Sequence, residues 1–172
     1  KGNAKEAIAK AAKKVEATYM YPYQNHAPME PMNTTALYTA DRCEVWCPTQ
    51  NGEAALAVVA ASSGLPVAKC DVHKVHLGGG FGRRGAFQDY LRQAATIAKE
   101  FPGVPVKLIW SREEDQAHDF YRPISVCRMS AGLDEKGELV GLHVRSSGQS
   151  INAWSNPTGI VGGKDRRQLQ GW

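Results

Sequence analysis

The chain has 172 residues, 42% of them hydrophobic and 22% charged, which suits one globular domain with a buried core, or a piece of a larger one, and excludes a disordered or fibrous chain. Its formal net charge of +4 comes from scattered basic residues that are not interleaved with aromatics, so nucleic acid is not an expected partner, whereas a small anionic ligand is compatible. Cys43, Cys47, Cys70 and Cys127 are too few for a disulfide scaffold and are expected as buried thiols, and no apolar run approaches the roughly 20 residues that span a bilayer.

From Asn3 to about Glu16 the chain is rich in Ala, Lys and Glu, with Ile8, Ala11, Ala12 and Val15 at helical spacing, so a short helix is expected. Residues 1–14 are read as a truncated helix or linker and residues 15–172 as part of a folded domain; the start at Lys1 and the end at Trp172 are read as cuts. Val15 to Tyr21 alternates in β fashion, and Thr34 to Thr39 and Glu44 to Trp46 are two further strand candidates. Pro28 and Pro31 exclude a helix interior between them. Thr49 to Ser62 reads as a helix closed by Gly64-Leu65-Pro66. A strand over Val67 to Leu77 then runs into a glycine loop, followed by a helix over Phe87 to Phe101 and a strand over Val104 to Trp110. Ser111 opens a short capped helix through His118, and Ile124–Leu133 with Leu139–Ser147 form a hairpin around Asp134-Glu135-Lys136-Gly137. The expected class is α+β, with mixed sheets and packed helices.

The loop is the least generic part of the chain, with five glycines in the eight positions 78–85. A strand-to-helix turn needs one or two. The surplus lets backbone amides approach a bulky ligand, so a cradle is expected, with Arg83 and Arg84 as donors to a phosphate or other oxyanion, or else as a solvated face. Gly80-Phe81-Gly82-Arg83-Arg84-Gly85 fits the bare G-x-G-x-x-G pattern but lacks the rest of the dinucleotide fingerprint, and no P-loop lysine follows. His73 and His76 would face opposite sides of a strand, and Cys43 and Cys47 lie too far apart along theirs, so no metal site is expected. His26 and Glu30 border the proline-rich turn as a functional pair or as an internally hydrogen-bonded loop. Asp115, His118 and Asp119 read as the charged face of a short helix.

Three stretches in order, Gln24-Asn25-His26-Ala27-Pro28-Met29-Glu30-Pro31-Met32-Asn33, Pro48-Thr49-Gln50 and Gly78-Gly79-Gly80-Phe81-Gly82-Arg83-Arg84, resemble the molybdenum-cofactor-binding subunit of the xanthine dehydrogenase and aldehyde oxidase family, in particular its isoquinoline 1-oxidoreductase β-subunit type. Lys107 to Asp115 and the hairpin that follows match too, so the resemblance runs from about Val15 to about Ser150. It implies a fragment of a molybdenum hydroxylase large subunit that oxidises an N-heterocycle or aldehyde with oxygen taken from water. The implied cofactor is a molybdenum–pterin, in its cytosine dinucleotide form. Implied cofactor contacts are Gln50, as donor to the metal's apical ligand, and Gly79, Gly80, Phe81, Gly82 and Arg83. Arg83 replaces the small residue common in the animal enzymes, a departure at the pterin or nucleotide contact. The implied partners are a small [2Fe–2S] subunit and the remainder of the large subunit. No catalytic residue is expected in this chain, because the family's general-base glutamate lies downstream. The rival reading is a non-catalytic binding or assembly module on the same scaffold.

Overall fold

The computed structural model describes residues 2–85, 87–155 and 157–165, so the expected cuts at Lys1 and Trp172 lie outside the described residues. The chain divides into two compact units, one formed by Asn25–Tyr121 and the other assembled from Lys1–Gln24 and Arg122–Trp172. The packing therefore does not break after residue 14. In chain order the elements are α1 (Ala4–Lys10), β1 (Lys13–Tyr21), β2 (Asn33–Tyr38), β3 (Cys43–Cys47), α2 (Gly52–Ser63), a 3-10 turn (Val67–Lys69), β4 (Cys70–Lys74), α3 (Asp89–Lys99), β5 (Val106–Ile109), α4 (Arg112–Ala117), β6 (Ser125–Leu133), β7 (Leu139–Gly148), α5 (Ile151–Ser155), β8 (Ile160–Val161) and β9 (Lys164–Asp165).

The continuous unit is built on a sheet of order β4-β3-β2-β5, in which β2 runs antiparallel to β3 and β5 while β3 and β4 are parallel neighbours. Parallel neighbours need a crossover, and α2 supplies it. In β3 the inward positions Cys43, Val45 and Cys47 alternate with Glu44 and Trp46, and Trp46 stacks on His73 of β4 at 4.8 Å. In α3, Tyr90, Leu91, Ala94, Ala95 and Ala98 form one buried stripe at helical spacing. Together with Met32, Ala36, Ala55 and Val59 these residues make the core. Three helix starts are written in the sequence: Asn3, Asn51 and Ser111 each accept a backbone N–H of the first turn. Gly64 closes α2 at φ +77°, a conformation that favours glycine.

Two elements depart from expectation. The helix expected to about Glu16 ends at Lys10, because Lys13 and Lys14 enter the ladder with β6, opposite Leu133 and Gly132. Strand pairing overrides the helix preference of lysine and alanine there. The strand expected over Val67 to Leu77 is shorter, since β3 pairs it only from Cys43↔Cys70 to Cys47↔Lys74 before Pro48 ends the ladder.

The second unit is an antiparallel sheet, β1-β6-β7, with α1 laid on the β6–β7 hairpin. Small residues set that approach: a side chain at Gly132 would begin 2.7 Å from Ala11 Cβ, and one at Gly141 would begin 3.1 Å from Ile8 Cγ1. Gln24 and Arg122 form an isolated antiparallel bridge where the chain leaves this unit and returns to it.

Candidate functional site

Because β3 and β4 are adjacent and parallel, their carboxyl ends open on the same edge of the sheet. That edge is where open α/β sheets place ligands. The chain after β3 carries Pro48, Thr49 and Gln50 into α2, and the chain after β4 carries the glycine loop, so parallel pairing brings the two motifs together.

Gln50 is tied to the loop at both ends. Its backbone N–H donates to Arg84 O at 3.0 Å, and its Oε1 accepts from the amides of Gly82 and Arg84 at 3.1 and 3.3 Å. Two N–H donors on one side-chain atom require that atom to be the oxygen, which fixes the amide and leaves Nε2 as a donor with no partner among the described residues. A side chain at Gly80 would begin 2.6 Å from Gln50 Oε1, so the close contact needs glycine. Gly79 at φ +100°, Phe81 at φ +54° and Gly82 at φ +105° take the left-handed region, unusual for an exposed phenylalanine. Arg83 N donates to Gly80 O and Gly85 N to Gly82 O, whereas the amides of Gly79, Gly80 and Phe81 have no protein acceptor among the described residues. Successive unengaged amides in such a turn suit an anion or an oxygen-rich ligand.

The two arginines are neither solvated nor extended towards a ligand. Arg84 is fully buried: Nε donates to Gly79 O at 2.9 Å, Nη1 to Pro48 O at 3.3 Å, and Nη2 to Glu30 O at 2.7 Å and Glu30 Oε2 at 3.2 Å. One guanidinium thus joins the loop, the Gln50 segment and the proline-rich segment. Glu30 completes the latch, accepting from Gly78 N at 2.8 Å while its own N–H donates to Gly78 O at 3.0 Å. Arg83, expected as a cofactor contact, is 1% exposed and bidentate on Asp89 at 2.9 Å. Its Nε lies 3.1 Å from Asp119 Oδ1, close enough for charge pairing but not aligned as a hydrogen bond, and its guanidinium lies over the Phe120 ring at 5.2 Å. The amide of Gly82, also expected to face the cofactor, is held by Gln50 instead.

His26 and Glu30 do not pair with each other. The His26 backbone N–H donates to Asp119 Oδ2, and its ring Nδ1 lies 2.9 Å from Asp119 Oδ1. Of Asp115, His118 and Asp119, expected on the charged face of a short helix, Asp115 and Asp119 are only 2% exposed at the side chain, while His118 is exposed. Burial pushes the Asp115 carboxyl above its ordinary range, opposed by Arg112, which pairs with it at 2.6 Å. Burial likewise raises the Tyr90 phenol to about 12, and its hydroxyl donates to Pro48 O at 3.2 Å beneath the Gln50 segment. Among the described residues no three His, Cys, Asp or Glu side chains are grouped to hold a metal ion, so a metal here would bring its own ligands. The residue missed in the sequence is Asp89, and the supporting roles of Glu30, Arg84 and Asp119 differ from those expected; the two adjacent arginines beside the loop were the signal that carboxylate partners were needed.

Comparison with known proteins shows the family of the chain. The model of the molybdopterin cofactor-binding domain family matches residues 1–156. The chain is a member of this family. It is 36% identical over 118 residues to isoquinoline 1-oxidoreductase subunit beta of Brevundimonas diminuta, covering 66% of this chain and 14% of that protein. It is 32% identical over 136 residues to a membrane-bound aldehyde dehydrogenase (pyrroloquinoline-quinone) of Gluconacetobacter polyoxogenes, covering 79% of this chain and 17% of that protein. Among solved structures, quinoline 2-oxidoreductase of Pseudomonas putida 86 shares the fold at a TM-score of 0.60 and 22% identity, over 84% of this chain and 18% of that one. The chain thus spans less than a fifth of these three proteins. Among the described residues of this molybdopterin-binding domain no helix is long and apolar enough to cross a membrane.

Proposed function

We propose that the chain forms one wall of a molybdenum–pterin site in the large subunit of a molybdenum hydroxylase, with Gln50 and the loop residues Gly79, Gly80 and Phe81 facing the cofactor. The observation that carries this reading is the cluster of unengaged donors: three backbone amides beside a side-chain amide whose oxygen is already taken. Donors held in place by the fold suit the oxygens of such a cofactor, because they need no reorganisation when charge builds on those oxygens. The cofactor is taken to be the cytosine dinucleotide form. When bound, it would supply the redox chemistry by which a carbon next to nitrogen or oxygen is hydroxylated with oxygen from water. This chain's share of that work is to bind and orient. Gln50 Nε2 donates outward, the loop amides donate beside it, and Arg84 and Glu30 keep both in register. The general-base glutamate, the small [2Fe–2S] partner and the pocket for an N-heterocycle or aldehyde belong to the rest of the assembly.

The test is metal and pterin analysis of the full-length subunit purified with its iron–sulfur partner, for the wild type and for Gln50→Ala. The wild type is expected to hold molybdenum and pterin. Gln50→Ala should keep nearly all of both while turnover falls by about tenfold or more, as expected when one preorganised donor is removed. A wild type without molybdenum and pterin overturns the reading, whether it is empty, as a non-catalytic module would be, or loaded with pyrroloquinoline quinone. Undiminished turnover in Gln50→Ala removes the role given to that residue.

A further inference from the structure

We propose that His26 is the hydrogen-bond acceptor of the glycine-loop site, its ring held by Asp119 so that Nε2 meets an N–H or O–H edge of whatever the loop binds. The inference rests on the reading of the loop as a cofactor wall and adds to it a residue that faces the ligand. Nδ1 lies 2.9 Å from Asp119 Oδ1, an arrangement that favours the imidazole tautomer with its N–H at Nδ1 and its lone pair at Nε2. The ring has little freedom to turn. Asp119 also accepts from the backbone N–H of His26, and its carboxylate is 2% exposed beside the buried Arg83 guanidinium, which Asp89 holds from the other side.

Nε2 lies 3.8 Å from the point where a side chain at Gly82 would begin, and it has no partner among the described residues. With the side chain 12% exposed, most of the ring is enclosed and this polar edge is directed at the loop. Among the described residues, the unengaged N–H groups here are the amides of Gly79, Gly80 and Phe81 and Nε2 of Gln50, and the one side-chain acceptor set beside Gly82 without a partner is Nε2 of His26. Donors alone suit oxygens. A pterin ring, and any heterocyclic substrate that bears an N–H or O–H, also presents a donor edge, and leaving such a group enclosed without an acceptor is costly. His26 supplies that acceptor. The donor edge belongs either to the cofactor or to the substrate, and two readouts separate these sources.

The experiment uses the full-length subunit with its iron–sulfur partner. In His26→Asn, the side-chain NH2 can still reach Asp119 while the atom at the Nε2 position is removed. In His26→Gln, an amide group can occupy the Nε2 position while the Asp119 bond is given up. If the donor edge is on the cofactor, His26→Asn loses about tenfold in molybdenum and pterin content; if it is on the substrate, content is kept and KM rises about tenfold with little change in kcat. In both cases His26→Gln retains most of the wild-type behaviour. Wild-type content and KM in His26→Asn overturn the proposal and reduce the ring to a tie on Asp119. Should His26→Asn not fold, a loss in His26→Gln as large as in His26→Ala overturns it equally. A wild type with neither molybdenum nor pterin removes the cofactor reading and this inference together, which is distinct from a loaded wild type that His26→Asn merely copies.

Discussion

A methyl group at Gly80 has no room, since its carbon would lie 2.6 Å from Oε1 and 2.9 Å from Cδ of Gln50. The backbone there is outside the left-handed region, so contact alone forbids the side chain. Gly80→Ala should therefore push Gln50 off the Gly82 and Arg84 amides and lower turnover as Gln50→Ala does. The two changes are expected to be non-additive: on a Gln50→Ala background the alanine has little left to displace. Equal losses from Gly80→Ala on both backgrounds would show that Gln50 is not what it strikes. Gly80→Val, bulkier still, should empty the site, and normal molybdenum content and turnover in that variant would refute this. Arg84 raises a question of stability. Arg84→Met leaves the carbonyls of Gly79, Pro48 and Glu30 without their shared donor and the partly exposed Glu30 carboxylate without its cation, a loss of ~1–3 kcal/mol for buried acceptors left unsatisfied, read by urea unfolding. A loss under ~1 kcal/mol would place that guanidinium among weakly contributing surface pairs. At this scale the sequence showed Gln50 and the glycines, whose contacts lie close along the sheet edge. It could not show which way Arg83 and Arg84 turn, because Glu30, Asp89 and Asp119 decide that, and two of these lie more than thirty positions from their arginines.

Among the elements, α1 depends on glycine in another element. A side chain at Gly132 would meet Ala11 Cβ at 2.7 Å and Ile8 Cα at 3.0 Å, so Gly132→Val is expected to lift α1 from the β6–β7 hairpin. Faster hydrogen exchange at residues 4–11, with the β6–β7 ladder still protected, is the outcome to look for; unchanged exchange would mean that the helix accommodates the side chain. In β3, burial raises the Cys43 and Cys47 thiols from 9.0 to about 11. At pH 8 both should resist iodoacetamide while the half-buried Cys127 reacts, as mass spectrometry of the intact fold can establish. Because the folded state holds these protons more tightly than the unfolded one, their contribution to stability is complete below pH 9.0 and declines as pH rises towards about 11. Alkaline unfolding that begins well below pH 9 would need another cause. Caps, stops and the hairpin turn were legible where a side chain and its own backbone settle them, as at Ser111 and Gly64, although α2 begins at Gly52, capped by Asn51, rather than at Thr49. The ends of β1 and β4 were not, since β6 and β3 determine how far each is paired.

For the whole molecule, what was least legible is that Lys1–Gln24 and Arg122–Trp172 form one unit although Asn25–Tyr121 lies between them in sequence, because pairing of β1 with β6 leaves no local mark. The Gln24–Arg122 bridge pins the two points where the chain crosses between the units. This topology bears on the order of events during synthesis. β1 is made about a hundred residues before its partner β6, so until then it lacks the edge it pairs with here, while Asn25–Tyr121 already has every strand of its own sheet. Closing the intervening segment costs less once it has folded, since a compact insert with neighbouring ends replaces a long flexible loop. Residues 25–121 made alone should therefore fold, with cooperative urea unfolding, and a chain stopped after Tyr121 should leave β1 open to protease; protection of β1 in that shortened chain would contradict this order. Assembly would then follow pairing distance rather than chain order, with the edge that carries Gln50 and the glycine loop in place before β1 finds its partner.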